Sequence, residues 1–158
     1  MAGFPTRSEP PNLLRADGKR PDGVTLIPYS RGKPLVWDAT VRTTVCASLV
    51  GQTSRQAGAA AETADAAKRR KYAAFAPDYM VVPLAFETHG AMSAATGTFL
   101  EALGKQIVRE SGCRRAATFF YQRLSLAIQR GNAVSILGSM EPVEEALDAE
   151  RGGGVCAC

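Results

Sequence analysis

The sequence contains few residues that bind soft metals, and it has no long apolar run. It has four cysteines and one histidine among 158 residues, and no two cysteines have the Cys-x-x-Cys spacing of a structural zinc site. A closed zinc site is therefore not expected. No signal peptide is recognisable, which argues against a disulfide framework and favours an intracellular protein. No apolar stretch approaches the ~20 residues that span a bilayer, so we expect no membrane partner.

Charge of either sign is modest. The formal net charge is +4 and the sequence pI is about 9.0, which permits a polyanionic partner without requiring one. With 46% hydrophobic and 22% charged residues, the chain has enough apolar material for the core of one domain. Its two ends are polar and rich in proline or glycine. We therefore predict a disordered arm at residues 1–16, a folded domain at 17–139 and a flexible tail at 140–158.

The hydrophobic pattern predicts an α/β fold with a small mixed sheet. Short β-branched runs bounded by turn formers indicate strands, and a long alanine-rich stretch without proline indicates a helix. The predicted elements are strands at 24–29 and 35–41, a helix at 54–75, a strand at 80–86, and helices at 93–111 and 114–137. The first two strands should form an antiparallel hairpin, and the first helix should cross over to the third strand. Pro83 places that third strand at a sheet edge or lies near a strand end.

Two aspartates occupy positions that could bind a divalent cation. Asp38 lies inside an otherwise apolar strand, where aspartate is disfavoured, and Asp22 lies at the entrance of the preceding strand. Magnesium prefers hard oxygen ligands, usually one or two carboxylates with water and substrate. Two other interpretations stay open: Asp38 can point to solvent, and Pro-Asp-Gly at residues 21–23 is a common turn.

A basic run near the end of the predicted helix could serve such a site. Lys68 and Tyr72 are one helical turn apart and share a face, and Asp65 can pair with Arg69 one turn later. A lysine close to a bound cation can orient a water molecule or stabilise developing charge. The alternative is that residues 68–71 form only a solvated basic face.

These motifs together resemble the restriction-like, PD-(D/E)xK, endonuclease domain at the C-terminal end of non-LTR retrotransposon polyproteins. The matching text consists of Arg-Pro-Asp at 20–22, Asp-x-Thr at 38–40, Lys-x-x-x-Tyr at 68–72, Phe-Glu-Thr at 86–88, the segment 99–104, and the Gln-Arg-Leu-Ser to Gln-Arg-Gly-Asn segment at 122–133. The resemblance covers about residues 17–138. The segment at 122–133 is its most specific part.

The resemblance implies a restriction-endonuclease-like fold and a nuclease that nicks target DNA in the nucleus, so that a polymerase can prime from the nick. It implies Mg²⁺ or Mn²⁺ bound by Asp22 and Asp38, with Lys68 and Tyr72 as further catalytic residues and no small-molecule cofactor. Thr40 stands where the family usually has a lysine, two residues after the second acid. The zinc knuckle and polymerase that precede the family's nuclease are not in this sequence, so a truncated or inactive domain is expected.

A wider set of polar residues is predicted to contact DNA. Phosphate backbones are bound mainly by arginine, lysine and amide side chains. The predicted set is Arg20, Arg69, Lys71, Gln122, Arg123, Gln129 and Arg130. Glu87 is an alternative third acidic ligand, and His89 is interpreted as a loop histidine. Two other functions stay open: a non-catalytic nucleic-acid-binding remnant, and an interaction domain with no nucleic-acid role.

Overall fold

The computed structural model describes residues 3–13 and 20–139, and it contains a four-stranded mixed sheet in the order β1-β2-β3-β4. The strands are β1 (Thr6–Ser8), β2 (Gly23–Thr25), β3 (Leu35–Arg42) and β4 (Met80–Glu87), and the α-helices are α1 (Val50–Thr53), α2 (Ala59–Lys71), α3 (Ala94–Ser111) and α4 (Ala116–Leu137). The β1–β2 and β2–β3 pairs are antiparallel, and β3 and β4 are parallel. The predicted α/β class, the hairpin and the crossover are confirmed at this level.

The N-terminal part of the chain differs from the prediction. Residues 1–16 were expected to be a disordered arm, but Thr6–Ser8 pairs with β2, and the buried Leu13 packs with Val24 and Val36. All three side chains of β1 are exposed, so the strand depends on backbone hydrogen bonds and leaves no apolar alternation in the sequence. Residues 14–19 and the predicted tail at 140–158 lie outside the described residues.

The predicted strand at 24–29 is shorter than expected. Regular pairing stops at Thr25, whose hydroxyl accepts a hydrogen bond from the Leu35 amide at 2.9 Å and donates to the Ile27 carbonyl at 2.8 Å. The Thr25 side chain thus takes the place of the next backbone hydrogen bonds between the strands. Strand propensity does not predict such a replacement. The edge position predicted for Pro83 is confirmed, because β4 is the last strand of the sheet.

The alanine-rich helix is also shorter than predicted. It begins at Ala59 rather than Ser54, because Gly58 adopts a left-handed φ of 86° and separates α2 from α1. The buried carboxylate of Glu87 accepts hydrogen bonds from the amides of Gly58 at 3.1 Å and Ala60 at 2.9 Å. A negative charge at this helix N-terminus satisfies two amides that have no partner within the helix.

The helices cover opposite faces of the sheet. On β4, Ala85 packs with Ala61 and Ala64 of α2, whereas its neighbour Phe86 packs with Leu100 of α3 and Ile128 of α4. Successive side chains of a strand point to opposite faces, so α2 lies on one face and α3 with α4 on the other. The predicted helices at 93–111 and 114–137 are confirmed to within two residues. In the part of the chain that the structure describes, no helix has both the length and the apolarity to cross a membrane.

The register of β2 against β3 is enforced by a glycine and a tryptophan. Gly23 lies directly opposite Trp37, and a Cβ atom at Gly23 would overlap the Trp37 indole ring. The φ of Gly23 is not positive, so its requirement is steric and not conformational. Because a slip by one residue would move every side chain to the other face, this contact determines which face the flanking aspartates occupy.

We predict that Gly23→Ala lowers the free energy of unfolding by about 1–3 kcal/mol, because the added methyl group forces the indole ring out of its position. Urea unfolding measures the change. Gly51→Ala is the matched control: a Cβ atom there meets nothing within 4 Å and alanine is favoured over glycine in a helix, so this substitution should leave the free energy of unfolding unchanged or raise it by up to ~1 kcal/mol. Trp37→Leu in the Gly23→Ala background should recover part of the loss. Equal unfolding of both alanine variants and the wild type would contradict the steric account.

Candidate functional site

The two aspartates come together where β2 begins. The β2–β3 register pairs Gly23 with Trp37; extending it by one residue, past the start of β2 into the bend at Asp22, would place Asp22 opposite Asp38. Directly opposite residues of an antiparallel pair share a face of the sheet. The Asp22 carboxylate is exposed, and its Oδ2 accepts the Ala39 amide hydrogen at 2.6 Å. Asp38 is only 5% exposed.

Asp38 faces α2. Thr40 pairs in register with Ala85, which packs on α2, and Asp38 lies two residues before Thr40 on the same face of β3. The Lys68 ammonium, from the last turn of α2, donates to Asp38 Oδ2. It also lies 3.5 Å from the carbonyl oxygen of Ala39. The structure therefore brings together three residues that the sequence analysis selected: Asp22, Asp38 and Lys68.

A second lysine reaches the same carboxylate. Lys71 Nζ lies 3.8 Å from Asp38 Oδ2, 2.8 Å from the Tyr72 hydroxyl and 4.5 Å from the centre of the Tyr72 ring. Tyr72 is 1% exposed, and its hydroxyl donates to the Arg20 carbonyl at 3.4 Å. Tyr72 therefore anchors α2 against the chain just before Asp22 and supports the position of Lys71.

The chemistry of the site combines oxygen ligands with positive charge. A buried carboxylate is stable only when it is paired or hydrogen-bonded, and the two ammonium groups provide that compensation for Asp38. The Lys68 ammonium contacts the Asp38 carboxylate and the Ala39 carbonyl, which are oxygen atoms of the kind that bind magnesium. The described residues contain no group of three or more His, Cys, Asp or Glu side chains able to hold a metal. A magnesium site here would use two carboxylates, which is within the usual number.

Glu87 does not belong to this site. Its carboxylate binds amides at the N-terminus of α2, whereas Lys68 lies near the C-terminus of the same helix. The structure therefore corrects the alternative of Glu87 as a third acidic ligand, because a buried carboxylate that already accepts two hydrogen bonds acts as a helix cap. His89 lies in the loop after β4, as predicted, and its Nδ1 is 2.8 Å from the Thr44 hydroxyl.

The predicted DNA-contacting residues are divided between two sides of the molecule. Lys71 lies at Asp38, and Arg20 lies next to Asp22, where its guanidinium pairs with Glu9. Arg69 forms the predicted pair with Asp65, with 2.8 Å between Nε and Oδ1. The remaining four are exposed on α4, across the sheet from α2: Gln122, Arg123, Gln129 and Arg130. The structure does not bring these four to the aspartates.

The contact between Lys71 and Asp38 was not predicted from the sequence, and neither was the part played by Ala39. Lys71 was assigned to DNA binding only, although its spacing of three residues from Lys68 allows both to lie on one helix face. That spacing was the signal available in the sequence. The Ala39 amide and carbonyl are backbone groups and leave no signal of their own.

We predict that Lys68→Met lowers the free energy of unfolding by about 1–3 kcal/mol, because it leaves the buried Asp38 carboxylate without its nearest partner. Asp38→Asn in the Lys68→Met background should restore much of the loss. Urea unfolding of the wild type, the two single variants and the double variant measures the coupling energy between Lys68 and Asp38. Lys105→Met is the matched control: the Lys105 and Glu101 side chains are 71% and 65% exposed, so losing their ion pair should leave the unfolding midpoint unchanged. Additive effects of the two substitutions would show that Lys68 and Asp38 do not interact.

Comparison of the chain with protein-family models, with curated proteins and with solved structures found no match. The resemblance to retrotransposon endonucleases rests on the sequence motifs and stays a hypothesis.

Proposed function

We propose that this chain is a Mg²⁺- or Mn²⁺-dependent endonuclease-like domain that nicks DNA, with a restriction-endonuclease-like core derived from a retrotransposon. The observation that carries the proposal is the ion pair between Lys68 and Asp38, thirty residues apart in the chain, beside Asp22. Two carboxylates and a lysine are the groups that metal-assisted phosphodiester hydrolysis requires. The motifs at residues 20–22, 38–40 and 68–72 supply the family resemblance.

The residues present fit a hard divalent cation. Asp22 and Asp38 would hold it, since Asp22 Oδ2 accepts the amide hydrogen of Ala39, the residue after Asp38, and the Ala39 carbonyl lies 3.5 Å from the Lys68 ammonium that pairs with Asp38. The cation would polarise the phosphate and lower the pKa of an attacking water. In PD-(D/E)xK enzymes a lysine near the acids stabilises developing negative charge, and this chain provides such a lysine from helix α2.

Lys68 takes the place of the lysine that the family usually has at position 40. Thr40 lies on the same face of β3 as Asp38 but has no charge to contribute. The Lys68 side chain is 20% exposed, so its ammonium can contact both the buried carboxylate and a substrate at the surface. In the proposed reaction Lys68 positions the water and stabilises the negative charge that develops on the phosphate.

Lys71 and Tyr72 are proposed to hold the substrate strand in place. The Lys71 ammonium is directed by the Tyr72 hydroxyl and lies at the edge of the same carboxylate. A lysine fixed in this way can neutralise a phosphate oxygen at lower entropic cost than one that moves freely. Arg20, on the other side of Asp22, would contact the strand beyond the scissile bond.

A plasmid-nicking assay tests the proposal. With Mg²⁺ or Mn²⁺ the wild-type chain should convert supercoiled DNA slowly to the open-circular form, and EDTA should stop the reaction. Asp38→Asn should reduce the rate by ~10²-fold or more and Lys68→Met by a similar factor, because each removes a charge that the transition state needs. Arg55→Gln removes an exposed charge at the other end of α2 and should leave the rate unchanged.

The opposite result selects the other candidate function. Asp38 is compensated by two lysines, and this arrangement is also what a purely structural ion pair would look like. If wild type and Asp38→Asn nick DNA at the same rate, or neither does, while both bind it, the chain is a non-catalytic nucleic-acid-binding domain. Circular dichroism of each variant establishes that the comparison is between folded proteins.

A further inference from the structure

A tight hairpin connects β2 to β3 and presents an arginine in an unfavourable backbone conformation. Ser30 and Lys33 form a bridge, with Lys33 N donating to Ser30 O at 2.9 Å. Between them Arg31 and Gly32 both have left-handed φ angles, of 50° and 75°. Two successive positive φ values characterise a type I′ turn, in which Asn, Asp or Gly is preferred at the first position. Arginine in this conformation has a conformational cost, and such strained residues often have a functional role.

The hairpin forms one wall of a small pocket. A cavity of about 390 Å³ is lined by Ser30, Arg31, Lys33, Tyr79 and Met80. Its walls are tied together, because Lys33 Nζ donates to the Ala76 carbonyl at 3.0 Å and the Met80 amide donates to the Pro34 carbonyl at 2.9 Å. The lining contains a guanidinium, an ammonium and two hydroxyl groups, and it includes no carboxylate from the described residues.

The pocket lies near the Asp22–Asp38 site. Met80 pairs in register with Leu35, three residues before Asp38 on β3, which is ~10 Å along the strand. On the α2 side, a row of aromatic rings also runs from Tyr72 beside the site to Tyr79 in the pocket. The Tyr72 and Phe75 rings stack with centroids 5.9 Å apart, and the Phe75 and Tyr79 rings meet edge to face at 6.2 Å.

We propose that this pocket binds a phosphate of the DNA strand that lies across Asp22 and Asp38, about one to two nucleotides from the scissile bond. The inference rests on the proposed nuclease function. A strand winds around the helix axis while it rises ~3.4 Å per step, so neighbouring phosphates lie ~7 Å apart and ~10 Å corresponds to one to two nucleotides. The Arg31 guanidinium supplies a planar pair of donors that matches phosphate oxygens, and the hydroxyls of Ser30 and Tyr79 supply further donors.

The first experiment uses the strain at Arg31 to separate binding from folding. Arg31→Gly removes the guanidinium and also suits the left-handed φ, so the thermal midpoint should not fall appreciably. The Kd for a short duplex, measured by fluorescence anisotropy without divalent cations, should rise about tenfold at ~0.1 M salt, and the slope of log K against log salt should decrease by about one. Arg55→Gln, which removes an equal charge from the exposed turn between α1 and α2, should change the Kd less than twofold.

The second experiment locates the contact. A set of duplexes, each with one neutral methylphosphonate in place of one phosphate, is measured against wild type and Arg31→Gly. For wild type one substitution, about one to two nucleotides from the cleavage position, should raise the Kd about tenfold, and Arg31→Gly should not respond to that substitution. If every methylphosphonate affects both proteins equally, Arg31 makes no specific phosphate contact and the proposal is wrong.

The results also distinguish this proposal from the nuclease function. If Arg31→Gly weakens DNA binding and no protein nicks DNA, the phosphate pocket is supported and the nuclease proposal fails. If wild type nicks DNA and Arg31→Gly binds and nicks as wild type does, the nuclease proposal is supported and the pocket fails. An Arg31-dependent affinity for inorganic phosphate that matches the affinity for DNA would assign the pocket to a free anion and would also overturn the proposal.

Discussion

The contact between Gly23 and the Trp37 indole is the constraint on which the candidate site depends. A side chain at position 23 has no room beside the ring, so glycine and tryptophan have to face each other across β2 and β3. That pairing brings Asp22 opposite Asp38 and turns Asp38 toward α2. A one-residue slip of β2 against β3 would move Asp22 to the face opposite the one on which Asp38 meets Lys68.

The interface between the sheet and α2 contains three buried acidic groups, and each has a partner. Asp38 accepts from Lys68, Asp65 pairs with Arg69, and Glu87 accepts from amides at the start of the helix. These interactions hold α2 at both ends, because Glu87 binds its first turn and Asp38 its last. Each carboxylate has to stay next to its partner, because a buried carboxylate without a partner is strongly unfavourable. The depth and angle of α2, and with them the position of Lys68, follow from this arrangement.

The positively charged residues are divided between the side of the molecule that contains the aspartates and the opposite side. Lys68, Lys71 and the hairpin at residues 30–33 lie near the α2 face of the sheet or at its adjoining end, next to the aspartates. The Gln-Arg pairs of α4 lie on the opposite face. In the proposed function, a DNA strand at the aspartates would contact α2 and the hairpin together, whereas contact with α4 would require the strand to pass an edge of the sheet. The segment at 122–133, which is the strongest part of the family resemblance, contributes its apolar side to packing through Ile128.

Local patterns in the sequence were sufficient for the α/β class, the hairpin, the third strand at a sheet edge and the last two helices to within two residues. They were sufficient because apolar periodicity, capping residues and proline act within a few positions of the chain. The same patterns missed β1, whose exposed side chains carry no apolar signal, and they overextended α2 beyond Gly58. The candidate acids and Lys68 could be selected from residue type and spacing. Their approach to one another, the second lysine at Asp38 and the pocket at Arg31 were decided by the tertiary structure. These features depend on strand register and on contacts between residues 30 to 50 positions apart, which no local pattern contains.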